Sequence, residues 1–247
     1  MNDLVSFGSR RVSPGEKTRL VQDHFDTVAP RYDLTNTLLS FGLQHVWKRT
    51  AVRLLTLSPG EWVADVCGGT ADLAMLALRA VLPAGRLVVY DFNRAMMAMG
   101  HAKVMKAGLA PGVFFVQGDA EKIALADCSF DAAMVGFGIR NLSDMDQGLR
   151  EMHRILKPGG RLMILEFSKP TNSWFRALYD LYSFTVMPLM GKIMVNSWEA
   201  YTYLPESIRL FPTPAELSQR LMGLGFSEVT YRPLSNGIAV AHLARKG

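Results

Sequence analysis

"EWVADVCGGTADL", residues 61–73, runs from a buried strand through a glycine pair into a helix. An apolar run ending in Asp65, followed by Gly68-Gly69-Thr70, is the form of a loop that cradles a ligand at the carboxyl end of a strand. Two common ligands fit it poorly. The G-K-[ST] of a nucleoside-triphosphate loop is missing, and so is the G-x-G-x-x-G of a dinucleotide loop.

The neighbouring sequence repeats the strand-to-helix pattern. "WVADV" (62–66) reads as a strand and Thr70–Ala80 as a helix. "RLVVYD" (86–91) is a second strand, with a helix over Arg94–Ala107, and "VFFVQGD" (113–119) is a third. "FDAAMVGFG" (130–138) is a fourth, with a helix over Asp144–Leu156, and "GRLMILEFS" (160–168) is a fifth. Apolar strands alternating with helices imply an α/β fold, a parallel sheet with helices on both faces. Upstream, Ser13 to Glu16 reads as a capping box with Pro14 at the first helical position, opening a helix that ends near Pro30. A further helical stretch spans Phe41–Leu55. Downstream lies an insert rich in Trp, Phe, Tyr and Met over 171–211, and Thr213 to Glu216 cap another helix. The last segment reads as an antiparallel hairpin turning near Asn236-Gly237. With no repeat and no low-complexity linker, residues 1–247 are expected to form a single domain. An N-terminal helical lid (about 14–57) and the 171–211 insert are its additions.

Ligands of such a sheet bind at the strand ends, and four ends can be read. At the first, Gly68 and Gly69 allow close approach, and the helix after Thr70 offers free N–H groups to a carboxylate. Asp65 touches the ligand or holds the loop backbone. At the second, Asp91 can accept both hydroxyls of a ribose. At the third, Asp119 beside Ala120 can accept from an adenine amino group. At the fourth, Gly136 keeps the site open. A zwitterionic end, a ribose and an adenine in that order describe S-adenosyl-L-methionine. The bland alternative is an α/β domain with ordinary turn glycines.

Composition narrows the setting. The 247 residues are 49% hydrophobic and 20% charged, enough to bury a full core. Two cysteines, Cys67 and Cys128, make no disulfide framework and point to a reducing, cytoplasmic setting. Cysteines and five scattered histidines have no metal-type spacing, so no metal is expected. The N-terminus lacks a signal-peptide core. Net charge is +5, spread along the chain. No basic, aromatic-studded groove or added module argues for nucleic acid.

Four stretches carry a family likeness: "HFDTVAPRYDLTNTLLSFGLQHVWKR", "VADVCGGTADL", "GFGIRNLSDMDQGLREMHRILKPGGRLMILEFSKP" and "YLPESIRLFPTPAEL". Together they resemble the ubiquinone/menaquinone biosynthesis C-methyltransferases, and within them the demethylmenaquinone methyltransferase group. The resemblance implies a class I S-adenosylmethionine-dependent methyltransferase fold. It is Rossmann-like, mostly parallel, with a terminal antiparallel hairpin. It also implies a polyprenyl quinol acceptor and cofactor positions at Thr70, Asp91 and the Asp119-Ala120 pair. The implied reaction is methylation of demethylmenaquinol to menaquinol. The alternative is the 2-methoxy-6-polyprenyl-1,4-benzoquinol precursor of ubiquinone. Ala71 departs from the family's common GGTGDL, and Cys67 stands where alanine is frequent.

Methylating a ring carbon needs a carbon nucleophile, which a quinol supplies when a hydroxyl loses its proton. A phenol has a pKa near ~10, so the site must favour the anion. Arg140, after the fourth strand end, is cationic and can stabilise a phenolate; it cannot act as a base. Tyr32 and Asn141 can orient ring oxygens or a water. Bland readings stand beside these: Arg140 paired with Asp144 or Asp146, Tyr32 at a helix end, Asn141 as an N-cap, His24 as structural. Other functions remain open: a methyltransferase with another small acceptor, a non-catalytic cofactor-binding scaffold, or an RNA methyltransferase.

In "WFRALYDLYSFTVMPLM" (174–190), Phe175, Leu178, Tyr182, Val186 and Leu189 recur at helical spacing. Tyr179, Leu181, Phe184 and Met187 widen that face. Arg176, Asp180 and Pro188 exclude a transmembrane span. The segment covers the sheet, or forms a subunit interface in a homo-oligomer. Otherwise, with "HFDTVAPRYD", it lines a path for a prenyl tail. In that last case the protein touches the inner face of the membrane weakly, helped by its charge and anionic lipid.

Overall fold

Every second residue of the central strands faces the same helical layer. The computed structural model describes residues 4–195 and 198–247. Its central strands are β3 (Trp62–Val66), β4 (Arg86–Asp91), β6 (Phe130–Gly136) and β7 (Leu156–Phe167). Val63, Val89, Met134 and Met163 pack with Trp47 and Ala51 of α3 (Leu43–Leu54) and with Leu78 of α4 (Asp72–Val81). The intervening Ala64, Val66, Tyr90, Val135 and Ile164 pack against Leu149 and Met152 of α6 (Met145–Ile155) and Leu217 of α10 (Pro214–Gly223). The strands' near-continuous apolar runs follow from burial on both faces. Each fully buried Leu or Ile contributes roughly 1.5–3 kcal/mol.

Three more strands complete the sheet: β5 (Val113–Gln117), β8 (Phe226–Leu234) and β9 (Ala239–Lys246). The order is β5-β4-β3-β6-β7-β9-β8. β3, β4, β5, β6 and β7 pair in parallel, whereas β9 is antiparallel to both β7 and β8. The chain moves outward from β3 to β5, then returns to β6 on the other side of β3. That reversal opens a crevice at the carboxyl ends of β3 and β6.

Some boundaries differ from the sequence reading. The fifth strand begins at Leu156, directly after α6, because the glycines at 159 and 160 lie within the strand. Residues 32–39 form a separate helix, α2, between α1 (Pro14–Val28) and α3. A small hairpin, β1 (Val5–Phe7) with β2 (Arg10–Val12), precedes α1. Ser13 makes half of a capping box: its hydroxyl accepts from Glu16 N at 3.3 Å, while Glu16 pairs with Arg10 at 3.7 Å. The box at Thr213-Glu216 is complete.

The aromatic insert folds as α7 (Ser173–Leu181), a π turn over Tyr182–Val186, α8 (Met187–Val195) and α9 (Trp198–Leu210). Residues 196 and 197 of it, and the side chain of Phe175, lie outside what is described. The π turn corrects the helical-face reading. It adds one residue to a turn, so later positions lag by about 100° relative to an α-helix. Met187, not Val186, is therefore buried, whereas Leu178, Val186 and Leu189 are exposed and Tyr182 is half-buried. Among the described residues no helix is long and apolar enough to cross a membrane.

Candidate functional site

Asp65 ends β3 with its side chain fully buried. Its Oδ2 accepts from Ala74 N at 3.0 Å and so holds the first turn of α4. Its Oδ1 has no partner among the described residues, and burial pushes the carboxyl up to about 8. At Gly68 a Cβ would fall 2.8 Å from Val89 and 2.9 Å from the Asp65 carbonyl, so only glycine fits. Gly69 sits at φ +49°, and its N–H donates to Asp91 Oδ2 at 2.8 Å. Asp91 Oδ1 accepts from Asn93 N at 2.8 Å, and burial raises this carboxyl to about 6. Ala71 also adopts a positive φ, +63°, which explains the glycine common at that place in the related motif.

Asp119 Oδ1 accepts from Glu121 N at 2.9 Å, Ala120 is buried beside it, and Gly136 ends β6. Asp65, Gly68, Gly69, Thr70, Asp91, Asp119, Ala120 and Gly136 all line one cleft. The residues suit a zwitterionic nucleoside ligand. An orphaned carboxylate oxygen and a loop pressed too tightly for a side chain flank one end, and acidic acceptors sit at two further strand ends.

Thr70 has a structural partner that the sequence did not suggest. Its hydroxyl donates to Asp33 Oδ1 of α2 at 2.8 Å, and Lys103 of α5 (Arg94–Lys106) donates to Asp33 Oδ2 at 2.6 Å. Lys103 also pairs with Asp72, which takes Lys48 of α3 at 2.7 Å. These ion pairs join the N-terminal helices to the glycine loop.

A second cleft adjoins the first and is mainly apolar. Val28, Leu39, Trp47, Phe167, Tyr179, Met187 and others from α1, α2, α3, β7 and the insert form its walls. Phe25, Tyr32, Phe137 and Asn141 line both clefts, so the two meet along these four residues. Tyr32 is pushed up to about 12 by burial, so it stays protonated at neutral pH. His24 is lowered to about 4, by burial first and then by the Arg140 charge, so it stays neutral.

Arg140 lies in a 3-10 turn after β6 and lines this second cleft. Neither sequence-near partner takes it: Asp144 caps α6 and Asp146 pairs with Arg220. Its Nη1 instead donates to both oxygens of Glu166, at 3.1 and 3.0 Å, and to the Phe137 carbonyl. The ion pair is deeply buried, with side chains 8% and 1% exposed. Burial raises the Glu166 carboxyl and the guanidinium opposes that rise. Asn141 is not an N-cap. Its Oδ1 accepts from Tyr203 of α9 at 2.9 Å. Glu166 and Tyr203 were not singled out in the sequence. A lone carboxylate closing the apolar run "LMILEF" was the available signal, because a buried charge demands a partner.

The model of the ubiE/COQ5 methyltransferase family matches residues 11–246. The ubiquinone/menaquinone biosynthesis C-methyltransferase UbiE of Pseudomonas putida (strain GB-1) is 43% identical over 236 residues, covering 96% of this chain and 92% of that protein. A SAM dependent methyltransferase from Aquifex aeolicus has a similar structure, with TM-score 0.59 and 20% identity over 81% of this chain and 89% of its own. So does the [4+2]-cyclase SpnF, with TM-score 0.61 and 17% identity over 92% and 94%. At such identities the structures show the fold alone, which carries more than one chemistry.

Proposed function

This chain belongs to the ubiE/COQ5 methyltransferase family, and on that premise we propose that it uses S-adenosyl-L-methionine to C-methylate a polyprenyl quinol, converting demethylmenaquinol to menaquinol. The meeting of the two clefts carries the reading. One is lined by loop backbone and carboxylates, the other by aromatic and aliphatic side chains, and Phe25, Tyr32, Phe137 and Asn141 are common to both. The named relatives serve ubiquinone as well as menaquinone, so the benzoquinol precursor of ubiquinone is the second reading.

The donor supplies an electrophilic methyl group on a sulfonium sulfur. Asp91 accepts from the ribose, Asp119 and Ala120 border the adenine, and the Gly68-Gly69-Thr70 loop with Asp65 takes the amino-acid end. The Arg140 guanidinium steadies the developing ring-oxygen anion, and Glu166 holds it in place. Tyr32, protonated at neutral pH, donates to a ring oxygen, and Asn141 does the same. The ring carbon gains the methyl, and one ring hydrogen leaves, net, as a proton to water. Apolar walls exclude solvent while opposite charges cancel.

The chain works as a single domain in which residues 14–57 are a lid and residues 171–211 shape the acceptor side. Leu34, Leu38 and Phe41 are exposed on one flank and Trp174, Leu178 and Leu181 on the other, and Phe41 and Leu178 are themselves cleft-lining. An apolar rim of this kind suits weak contact with the inner face of a membrane from the cytoplasm. Mass spectrometry of quinones from a strain lacking the protein tests the function. Accumulated demethylmenaquinone is expected, accumulated unmethylated benzoquinone would favour the second reading, and unaltered quinones would refute both.

A further inference from the structure

Two residues that line the acceptor cleft carry donors with no partner among the described residues. Asn141 Nδ2 and Arg140 Nε are buried without a partner among the described residues. Such groups are costly to bury unless a ligand completes them. Both can only donate, so the completing ligand must bring oxygen lone pairs. Two such donors on adjacent cleft-lining residues suit a hydroxyl or phenolate oxygen better than an apolar group.

Asn141 could direct either end of its amide at the ligand, and only one end is useful. A ring oxygen that is losing its proton is stabilised by the NH2 and repelled by the C=O. The choice is made by Tyr203, whose hydroxyl donates to Asn141 Oδ1 at 2.9 Å. Holding the oxygen turns the NH2 away from Tyr203. Tyr203 is itself fixed from two sides. Its ring stacks on Phe7 of the N-terminal hairpin at 4.3 Å, and His24 meets it edge-on at 5.5 Å. It is a reliable donor, because burial pushes its hydroxyl up to about 12.

We propose that Tyr203 is a positioning residue for the methyl transfer: it locks the Asn141 amide so that Nδ2, beside Arg140 Nε, donates to the acceptor's reacting oxygen. The proposal rests on the quinol reading above and adds to it the residue that sets the amide's direction.

A double-mutant cycle in the full chain tests it. Tyr203→Phe keeps the stacked ring and should lower kcat about tenfold, and Asn141→Ala about a hundredfold, with donor affinity unchanged. If Tyr203 acts through Asn141, the double variant stays within about threefold of Asn141→Ala. Losses that multiply, or wild-type turnover in Tyr203→Phe, overturn the proposal. Asn141→Asp keeps an acceptor for Tyr203 but loses both donors. It should melt like wild type and remain as slow as Asn141→Ala, and recovered turnover would refute the lock. A readout without turnover separates this inference from the functional reading. A short-chain naphthoquinol should shift the Asn141 side-chain amide resonance in wild type and not in Tyr203→Phe. An unshifted wild-type signal overturns the proposal. A shifted signal in an enzyme idle on every quinol supports it and counts against methylation.

Discussion

In the donor cleft, Gly69 and Asp91 meet across neighbouring strands and bond through a backbone N–H. In the acceptor cleft, Arg140 depends on a carboxylate at the end of β7, and Asn141 on a tyrosine 62 residues further along the chain. One half is made from turns that each strand–helix unit supplies for itself. The other exists only when helices from both ends of the chain close over the sheet. The donor half is tied to the helices through Asp33 and Lys48, whereas the acceptor half is built from them.

The sharpest test of this division is Arg140→Lys. Lysine keeps the charge but loses the planar guanidinium, in which Nη1 holds Glu166 and the Phe137 carbonyl while Nε is left free for the acceptor. Turnover should fall about a hundredfold, ~2.7 kcal/mol of transition-state stabilisation, with donor affinity unchanged by calorimetry. Lost donor affinity would mean that the clefts are not separable. Asp91→Ala probes the opposite half. Donor binding should weaken at least about tenfold, ~1.4 kcal/mol, in a variant with wild-type circular dichroism and unchanged KM for quinol. Unchanged donor affinity would remove Asp91 from the site.

Leu178→Glu with Leu181→Glu addresses the rim. KM for a long-chain quinol should rise about fivefold, the equivalent of ~1 kcal/mol of apolar contact, and flotation with anionic vesicles should drop. Equal effects on a short-chain analogue would assign the rim to packing instead. The smallest expected effect is on stability. In the folded protein Asp65 holds its proton up to about pH 8, and in the unfolded chain it ionises near the ordinary aspartate value of 3.8. Its contribution is fully present below the lower value and fades as pH rises through the upper one. The ligand-free protein should lose about 2–4 °C in Tm between pH 7 and 8 relative to Asp65→Asn. Parallel Tm profiles for the two proteins would show that Asp65 is ionised throughout.

The donor half was legible because its signals are local. A near-continuous apolar run marks β3, and a positive φ or a close approach demands glycine at 68 and 69. The acceptor half was legible only in part. Arg140 was recognisable, but its sequence neighbours Asp144 and Asp146 looked like its partners. Glu166 reaches it because parallel β6 and β7 end side by side. Helix α2 was not foreseen because "YDLTNTLL" has low helical propensity. Thr35 and Thr37 settle there by donating to carbonyls four residues back, at 2.9 and 2.7 Å. The face of the insert was misphased beyond Tyr182 because no residue pattern announces a π turn.

Asp33 has a consequence for how the two ligands influence each other. Its carboxylate, on α2, holds the hydroxyl of Thr70 in the donor loop, while Tyr32, Asn36 and Leu39 of the same helix border the acceptor. A ligand that steadies the loop therefore steadies a wall of the neighbouring cleft, and the exchange runs both ways. Linkage requires that whatever factor the donor adds to acceptor affinity through α2, the acceptor returns to the donor in full.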